Sequence, residues 1–203
     1  MANGKVITGY SKPWVALYSD GNGTPTYSSG MALARGVSVS VEPGDTGEGV
    51  NFYADNILAE SVGGTFTSGT ATFTIDGLKD EARKMIMGIP TESVTTVTVS
   101  GSTVNVINYD DRMSIPYVGI GFVVRYMENG VTTYSPVVLT KVRFNPETLE
   151  ANTQEEEIEF QTTELEATVM RDDSTYHVWK KIGADQDTEA KAEAVVQAIL
   201  GSN

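Results

Sequence analysis

The fold of this 203-residue chain is decided by the sequence YVGIGFVVRYMENGVTTYSPVVLTKVRF, which occupies residues 117–144. Two runs rich in β-branched and aromatic residues, 117–126 and 131–144, flank Asn129-Gly130. Asn-Gly supplies the two positive φ angles that a type I′ turn requires. The stretch therefore predicts an antiparallel hairpin of two long strands.

Shorter segments with strand chemistry lie on either side of this hairpin. Residues 37–41 alternate between Val and Ser, as half-buried strands do. Ser100-Gly101-Ser102 separates two runs rich in Val and Thr, which predicts a second hairpin. The chain is therefore predicted to be mainly β. Besides the long hairpin, strands are expected at 14–18, 37–41, 65–75, 94–99 and 103–107.

Two segments have helical periodicity instead. Each places its apolar residues on one face, and acidic residues come early in both, as the helix dipole favours. The apolar faces are Leu78, Ala82, Met85, Ile86 and Ile89 in the first segment and Ala192, Val195, Val196 and Ile199 in the second. We expect a flanking helix at about 78–88 and a C-terminal helix at about 187–200, each packed on a sheet.

Composition excludes several classes of function. The chain has 27 Asp and Glu against 14 Lys and Arg, which gives a formal net charge of −13. We therefore do not expect electrostatic binding to nucleic-acid phosphates or to an anionic membrane. With no Cys and one His, it lacks the residues for disulfides, thiol catalysis and multi-histidine metal sites. No segment approaches the roughly 20 apolar residues of a membrane span, and the start has no signal-peptide pattern. We expect assembly in the cytoplasm of the cell that makes the protein.

Charge and glycine content mark two segments within what we interpret as a single domain, 1–203. Residues 1–144 hold 13 acids and 10 bases, whereas residues 145–203 hold 14 acids and 4 bases. We expect an acidic connector at 145–161, which contains the run EEEIE at 155–159. A Gly-rich polar stretch followed by apolar residues predicts a loop or arm at 43–60.

Two candidate sites lack the partners that their chemistry requires. His177 would need a nucleophile such as Ser, but the chain has no Gly-x-Ser-x-Gly elbow, so a structural His in a strand at 176–179 is the favoured interpretation. Residues 20–24 (DGNGT) begin like a calcium loop. Pro25 and Met31 stand where that loop needs Gly and Glu, which favours a turn.

Three further motifs also favour structural roles. The acid pairs Asp110-Asp111 and Asp172-Asp173 would point to opposite faces of a strand, so solvated turn acids are the favoured interpretation. Gly119-Ile120-Gly121 lacks the third Gly and the following helix of a dinucleotide fingerprint. It indicates close packing or a bend within a strand. We therefore expect no catalytic residue, no metal site and no cofactor.

Several sequence blocks, in the same order along the chain, are similar to blocks of one known family. The most specific is FYADNILAE at 52–60. The others are Asp76-Gly77-Leu78 with Glu81-Ala82, the strand end 139–144, EIEFQT at 157–162, and LEAT at 165–168. Together they resemble the major tail proteins, or tail tube proteins, of long-tailed, non-contractile bacteriophages. Two departures are the missing Pro near Thr163 and the missing Gly near Ala167.

The resemblance implies a structural virion protein with no catalytic residues and no cofactor. Relatives have a β-sandwich or barrel-like tail tube domain with a flanking helix, and they form hexameric rings that stack into the tail tube. The implied partners are further copies of the chain, the tape measure protein and the tail tip or terminator proteins. DNA passes through the lumen during ejection without specific binding, and no membrane is involved. We expect no immunoglobulin-like domain after residue 203.

The arm at 43–60 is the expected inter-subunit or inter-ring contact, because it carries apolar residues outside any clear strand or helix. The residues expected there are Phe52, Tyr53, Asp55, Asn56, Ile57 and Leu58. Two alternatives remain open: another phage tail component, such as a terminator or neck protein, and a carbohydrate-binding or adhesion β-sandwich. The two Trp and nine Tyr form no clustered platform for sugar stacking, and an enzyme is the least favoured class.

Overall fold

The computed structural model describes residues 4–44, 50–153 and 160–201. Strands account for 53% of the described residues and helices for 12%, so the mainly-β prediction is confirmed. The strands are β1 (Val6–Gly21), β2 (Thr24–Ala32), β3 (Gly36–Pro43), β4 (Val50–Ala54), β5 (Ile57–Val62), β6 (Ser68–Ile75), β7 (Val94–Val99), β8 (Ser102–Ile107), β9 (Val118–Glu128), β10 (Val131–Phe144), β11 (Thr163–Met170) and β12 (Lys180–Ile182). The helices are α1 (Asp80–Met87) and α2 (Glu189–Ile199), and a 3₁₀ turn at Thr91–Ser93 precedes β7.

The main sheet is antiparallel, and the long predicted hairpin lies at its centre. Its order in the described part of the chain is β2-β1-β9-β10-β11-β6-β3, with β12 paired to β10. β9 and β10 turn at Asn129 and Gly130, whose φ angles are 50° and 79°. Asn22 and Gly23 give the β1–β2 hairpin the same kind of turn, with φ angles of 59° and 81°. Both turns are therefore as expected.

The sheet curls until strands that are not neighbours face each other, which makes the fold sandwich-like. Phe73 of β6 and Phe122 of β9 are separated by two strands in the sheet, yet their ring centroids lie 6.1 Å apart. At the seam, the Tyr10 ring of β1 lies against Gly36 of β3, where an added Cβ would meet its Cε1 at 2.1 Å. Helix α1 packs its buried residues into the same core.

Helix α2 covers the outer face of the sheet and explains why β9 is buried on both faces. Val196 and Leu200 pack with Ala16 and Val138. A Cβ added to Gly121 would lie 2.4 Å from Val196 Cγ1, so only glycine lets the helix approach this closely. Gly119-Ile120-Gly121 therefore marks close packing, as predicted from the sequence.

Both helices end where the sequence predicts. Gly88 terminates α1 in the left-handed conformation with a φ of 61°, and its N–H bonds to the carbonyls of Lys84 and Met85. Thr188 caps α2, because its side chain accepts a hydrogen bond from the Lys191 N–H. The early acids of α2 also bind outside it: Glu189 accepts from the Ser11 hydroxyl.

The expectation that His177 lies in a strand at 176–179 is wrong. His177 has a φ of 50° and its N–H donates to the Ser174 carbonyl at 3.0 Å, which closes a turn. The strand-forming residues of this stretch are overridden by the turn in which the Ser174 N–H and hydroxyl donate to Asp172. The next strand, β12, begins only at Lys180.

Candidate functional site

The segment expected to make contacts between subunits is a β-hairpin rather than irregular chain. β4 and β5 form a two-stranded sheet that is separate from the main sheet. Asp55 and Asn56 make its turn, with φ angles of 51° and 62°, the left-handed conformation that Asp and Asn tolerate best among non-glycine residues. The expectation that these residues lie outside any strand is therefore wrong, and residues 45–49 of the predicted arm lie outside the described residues.

The tip of this hairpin is apolar on both faces. Tyr53 pairs with Leu58 on one face, and Ala54 pairs with Ile57 on the other. Phe52 lies two residues before Ala54, so it shares the face of Ile57. The large apolar side chains of the tip are 50% to 69% exposed: Phe52, Tyr53, Ile57 and Leu58. The sequence prediction thus names residues that the fold brings together at one exposed tip.

A second exposed hairpin, β7–β8, was predicted as a structural element but not as a contact surface. It too forms a separate two-stranded sheet. Its outer face carries valines that are 37% to 58% exposed: Val97, Val99, Val104 and Val106. The sequence contains a signal for this surface, because residues 93–109 include no charged residue although 20% of the chain is charged.

An apolar cleft lies beside the β7–β8 hairpin, on the face opposite to its exposed valines. Its volume is about 690 Å³. One wall is the end of α1, another is the β1–β2 hairpin, and the third is β7–β8. Its lining includes Leu17, Ser29, Lys84, Met85, Ile89, Val94, Asn105 and Pro116. Lys84 is the only charged residue of this lining, and no carboxylate of the described residues forms an ion pair with it.

The two separate hairpins leave opposite ends of strand β6. β4–β5 connects Pro43 of β3 to Ser68, the first residue of β6, and Ser68 pairs with Met170. β7–β8 follows α1, which begins after Ile75, the last residue of β6. Since β6 is an eight-residue strand, its two ends are roughly 23 Å apart. The molecule therefore has an apolar projection at one end and a cleft with an uncharged hairpin at the other.

The acidic connector is anchored at two points. Arg83 of α1 donates from Nε and Nη2 to both oxygens of Glu147, at 2.8 and 3.1 Å. Further along, the Gln161 side chain exchanges hydrogen bonds with the backbone of Asn152 at 3.1 and 3.2 Å. Leu149 and Phe160 nevertheless remain 91% and 93% exposed. The run at 155–159 lies outside the described residues.

The candidate catalytic residues form turns and ion pairs. The Ser174 hydroxyl donates to Asp172 Oδ1 at 2.5 Å, and His177 Nδ1 lies 3.2 Å from the Asp172 carbonyl oxygen. A triad would need the hydroxyl on the imidazole and the imidazole on a carboxylate. Asp172 is only 3% exposed, so the expectation of a solvated turn acid is wrong at this position.

The neighbouring acids are held by cations and hydroxyls. Asp173 accepts from Lys141 Nζ and from the Tyr18 hydroxyl, both at 2.6 Å. These donors keep the pKa of Asp173 below its usual range. Hydrogen bonds from Arg112 lower the pKa of Asp110 to about 2. These acids stabilise loops through their bonds to cations and hydroxyls.

Three features were compared with known patterns: metal-binding clusters, membrane-spanning helices and similarity to known proteins. Within residues 4–44, 50–153 and 160–201, no group of three or more His, Cys, Asp or Glu side chains is placed to hold a metal ion. In the same part of the chain, no helix has the length and apolar character to cross a membrane. The sequence matches no protein-family model. It matches no curated protein either.

Proposed function

We propose that this chain is the tail tube subunit of a long-tailed, non-contractile bacteriophage. In this proposal it polymerises as stacked hexameric rings, and the tube conducts DNA into the host cell. The proposal rests on the order of the sequence blocks and on one structural observation. Apolar surfaces that the folded subunit leaves exposed lie on two separate hairpins, which are connected to opposite ends of β6.

Surfaces at opposite ends suit an open-ended polymer. When one end of a subunit binds the other end of the next, the contact is heterologous, and it repeats without limit unless a rotation closes it into a ring. A tube of stacked rings needs both kinds of repetition. Exposed apolar patches rimmed by polar residues are also the usual mark of protein–protein contacts.

The charge of the subunit supports a conduit for DNA. A formal charge of −13 disfavours adhesion to phosphates, so an acidic wall lets DNA move past it. The partners that this function requires are other copies of the chain, the tape measure protein and the tail tip or terminator proteins. The proposed location is the tail of the virion, after assembly in the cytoplasm of the bacterial host.

Electron microscopy of the purified, concentrated protein tests this proposal directly. We expect rings or tubes, and a change in sedimentation that follows protein concentration. Tyr53→Ser should reduce assembly, because it removes an apolar side chain from the β4–β5 tip. Tyr176→Ser is the matched control: Tyr176 is 89% exposed but lies outside both hairpins, so this variant should assemble normally. A folded monomer that never associates, or one that binds glycans, would contradict the proposal.

A further inference from the structure

We propose that the tip of β4–β5 inserts into the cleft beside β7–β8 of a second copy of this chain. The inference rests on the proposed function, and it names the surface that receives the hairpin. The acceptor cleft is the 690 Å³ space between the end of α1, the β1–β2 hairpin and β7–β8.

Large apolar residues lie on both faces of the hairpin tip. A hairpin that lies flat on a partner buries one face and leaves the other in water. Here Tyr53 and Leu58 lie on one face and Phe52 and Ile57 on the other, and all four are at least half exposed. Burial of both faces requires a site with two walls, because only a cleft removes both sides of the hairpin from water.

The cleft beside β7–β8 has apolar walls on more than one side. Met85 and Ile89 line it from the side of α1, whereas Val94 lines it from β7 and Pro116 from the segment that precedes β9. The space is large enough to take several apolar side chains and lies within the range typical of binding clefts. Hydrophobic burial here would contribute roughly in proportion to the apolar area removed from water on both partners.

The charge of the hairpin is opposite in sign to the charge of the cleft. The hairpin 50–62 carries only acidic charges, Asp55 and Glu60, and the cleft carries only Lys84. None of these three residues forms an ion pair with the described part of its own subunit. Asp55 lies in the turn, which is the part of the hairpin that enters first. A contact between Asp55 and Lys84 would therefore fix the depth and the register of insertion.

The hairpin and the cleft follow from different ends of strand β6. The hairpin leaves the Ser68 end of β6, and the cleft lies on the side of α1, which follows the Ile75 end. The donor and acceptor surfaces of one subunit thus follow from opposite ends of β6. A second copy satisfies both in a head-to-tail arrangement, and each added copy again presents one free tip and one free cleft.

Cross-linking between two different variants tests the contact. Because the chain has no native Cys, the reagent reacts only with the introduced Cys residues. Thr91 lines the cleft. Ile57→Cys protein is mixed with Thr91→Cys protein under assembly conditions and treated with a short bis-maleimide reagent. Because each variant has one Cys, a product joining the two must arise between copies. Ile57→Cys mixed with Glu128→Cys is the control, since Glu128 lies at the far end of β9 from the cleft. We expect a product with Thr91→Cys and none with Glu128→Cys.

A double-mutant cycle tests the charge contact. Asp55→Asn keeps a residue that tolerates the turn, and Lys84→Met keeps a good helix former. Each should raise the protein concentration needed for assembly about threefold, and the double variant should match either single one, because both changes remove the same interaction. General repulsion predicts the opposite sign for Asp55→Asn, since that change makes the subunit less negative. Lys79→Met, at the N-cap of the same helix but outside the cleft, should combine multiplicatively with Asp55→Asn.

The outcomes separate this inference from the proposed function. Tubes of normal appearance without the Ile57–Thr91 cross-link would overturn the docking site and leave the function standing. Fully multiplicative effects of Asp55→Asn and Lys84→Met would also overturn it. If the unmodified protein never assembles at any concentration, the proposed function fails and the docking site fails with it.

Discussion

At the scale of single residues, the two glycines of β9 determine how closely α2 can pack. Gly121→Ala would place a Cβ 2.4 Å from Val196 Cγ1 and 3.2 Å from Val138 Cγ2. Because both neighbours belong to a packed interface, the helix must shift, and we expect a loss of about 1–3 kcal/mol in the free energy of unfolding. Urea denaturation followed by tryptophan fluorescence measures this loss.

Gly9→Ala in the adjacent strand β1 is the matched control for this change. Its added Cβ would lie 3.6 Å from the Arg125 Cβ, an ordinary contact distance. We expect the stability to change by no more than about 0.5 kcal/mol. Equal effects of the two substitutions would mean that the approach of α2 does not restrict β9.

A second residue-scale prediction concerns Asp173. Asp173→Asn leaves the half-buried Lys141 ammonium without its carboxylate, and we expect a loss of about 1 kcal/mol at neutral pH, since over a third of the Asp173 side chain is in solvent. The folded state lowers the pKa of Asp173, so its stabilising effect is present above the unfolded value of about 4 and is lost as pH falls below it.

Urea midpoints measured at neutral pH and near pH 3 check this pH dependence. The difference between wild type and Asp173→Asn should shrink at the lower pH. Asp20→Asn, in the exposed β1–β2 turn, should behave like wild type at both values. A difference that stays constant between the two pH values would show that the ion pair is not its source.

At the scale of elements, the sequence predicts the features that are set by the backbone preferences of neighbouring residues. Asn129-Gly130 and Gly88 mark a turn and a helix end through their own backbone preferences, so the hairpin and the end of α1 could be read from the sequence. The position of β12, the burial of Asp172 and the separation of β4–β5 from the main sheet depend on contacts between distant residues. One strand, β11, is continuous from Thr163 to Met170, which fits the absence of Pro and Gly from this segment.

The β7–β8 hairpin carries the first element-scale prediction. Isolated two-stranded sheets are marginally stable, and uncharged exposed edges favour association, so we expect its valine face to be covered after assembly. Val97→Lys should raise the concentration required for assembly, whereas Tyr176→Lys, at an exposed position outside both hairpins, should affect it less. Val97 is about half exposed, so the unfolding free energy should change by only about 0.5 kcal/mol. Light scattering measures assembly, and similar scattering from both variants would rule out a role for the valine face.

The acidic connector carries the second element-scale prediction. Sequence reasoning predicts that residues 145–161 are mobile in the free subunit and ordered in the tube. A further hydrogen bond lies at the start of the connector: the Asn145 N–H donates to the Glu166 carbonyl at 2.8 Å and should exchange slowly, whereas amides between Glu147 and Asn152 should exchange fast. Hydrogen exchange of the monomer and of the assembled protein measures both. Slow exchange throughout the connector of the monomer would contradict the prediction.

At the scale of the whole molecule, charge sets the conditions for assembly. At least seven of the 14 Lys and Arg side chains form ion pairs with acids of their own subunit. Lys141 is among them, so it is not free to pair with a neighbouring copy, although Arg125 and Arg143 are exposed. The unpaired charge on the surface is therefore mostly acidic, and copies brought together in a ring repel one another.

Repulsion of this kind predicts how assembly responds to salt and pH. Exposed charges are screened beyond about 8 Å at physiological ionic strength, so assembly should be easier at moderately high salt than at very low salt. It should also become easier as pH falls towards the sequence pI of about 4.4, until protonation of carboxylates such as Asp173 begins to destabilise the fold. A single attractive pair such as Asp55 with Lys84 changes the magnitude but not the sign, because an exposed ion pair contributes at most about 1 kcal/mol. Light scattering of purified monomer across a salt series decides the matter: assembly that weakens steadily with added salt would mean that ion pairs between subunits outweigh repulsion.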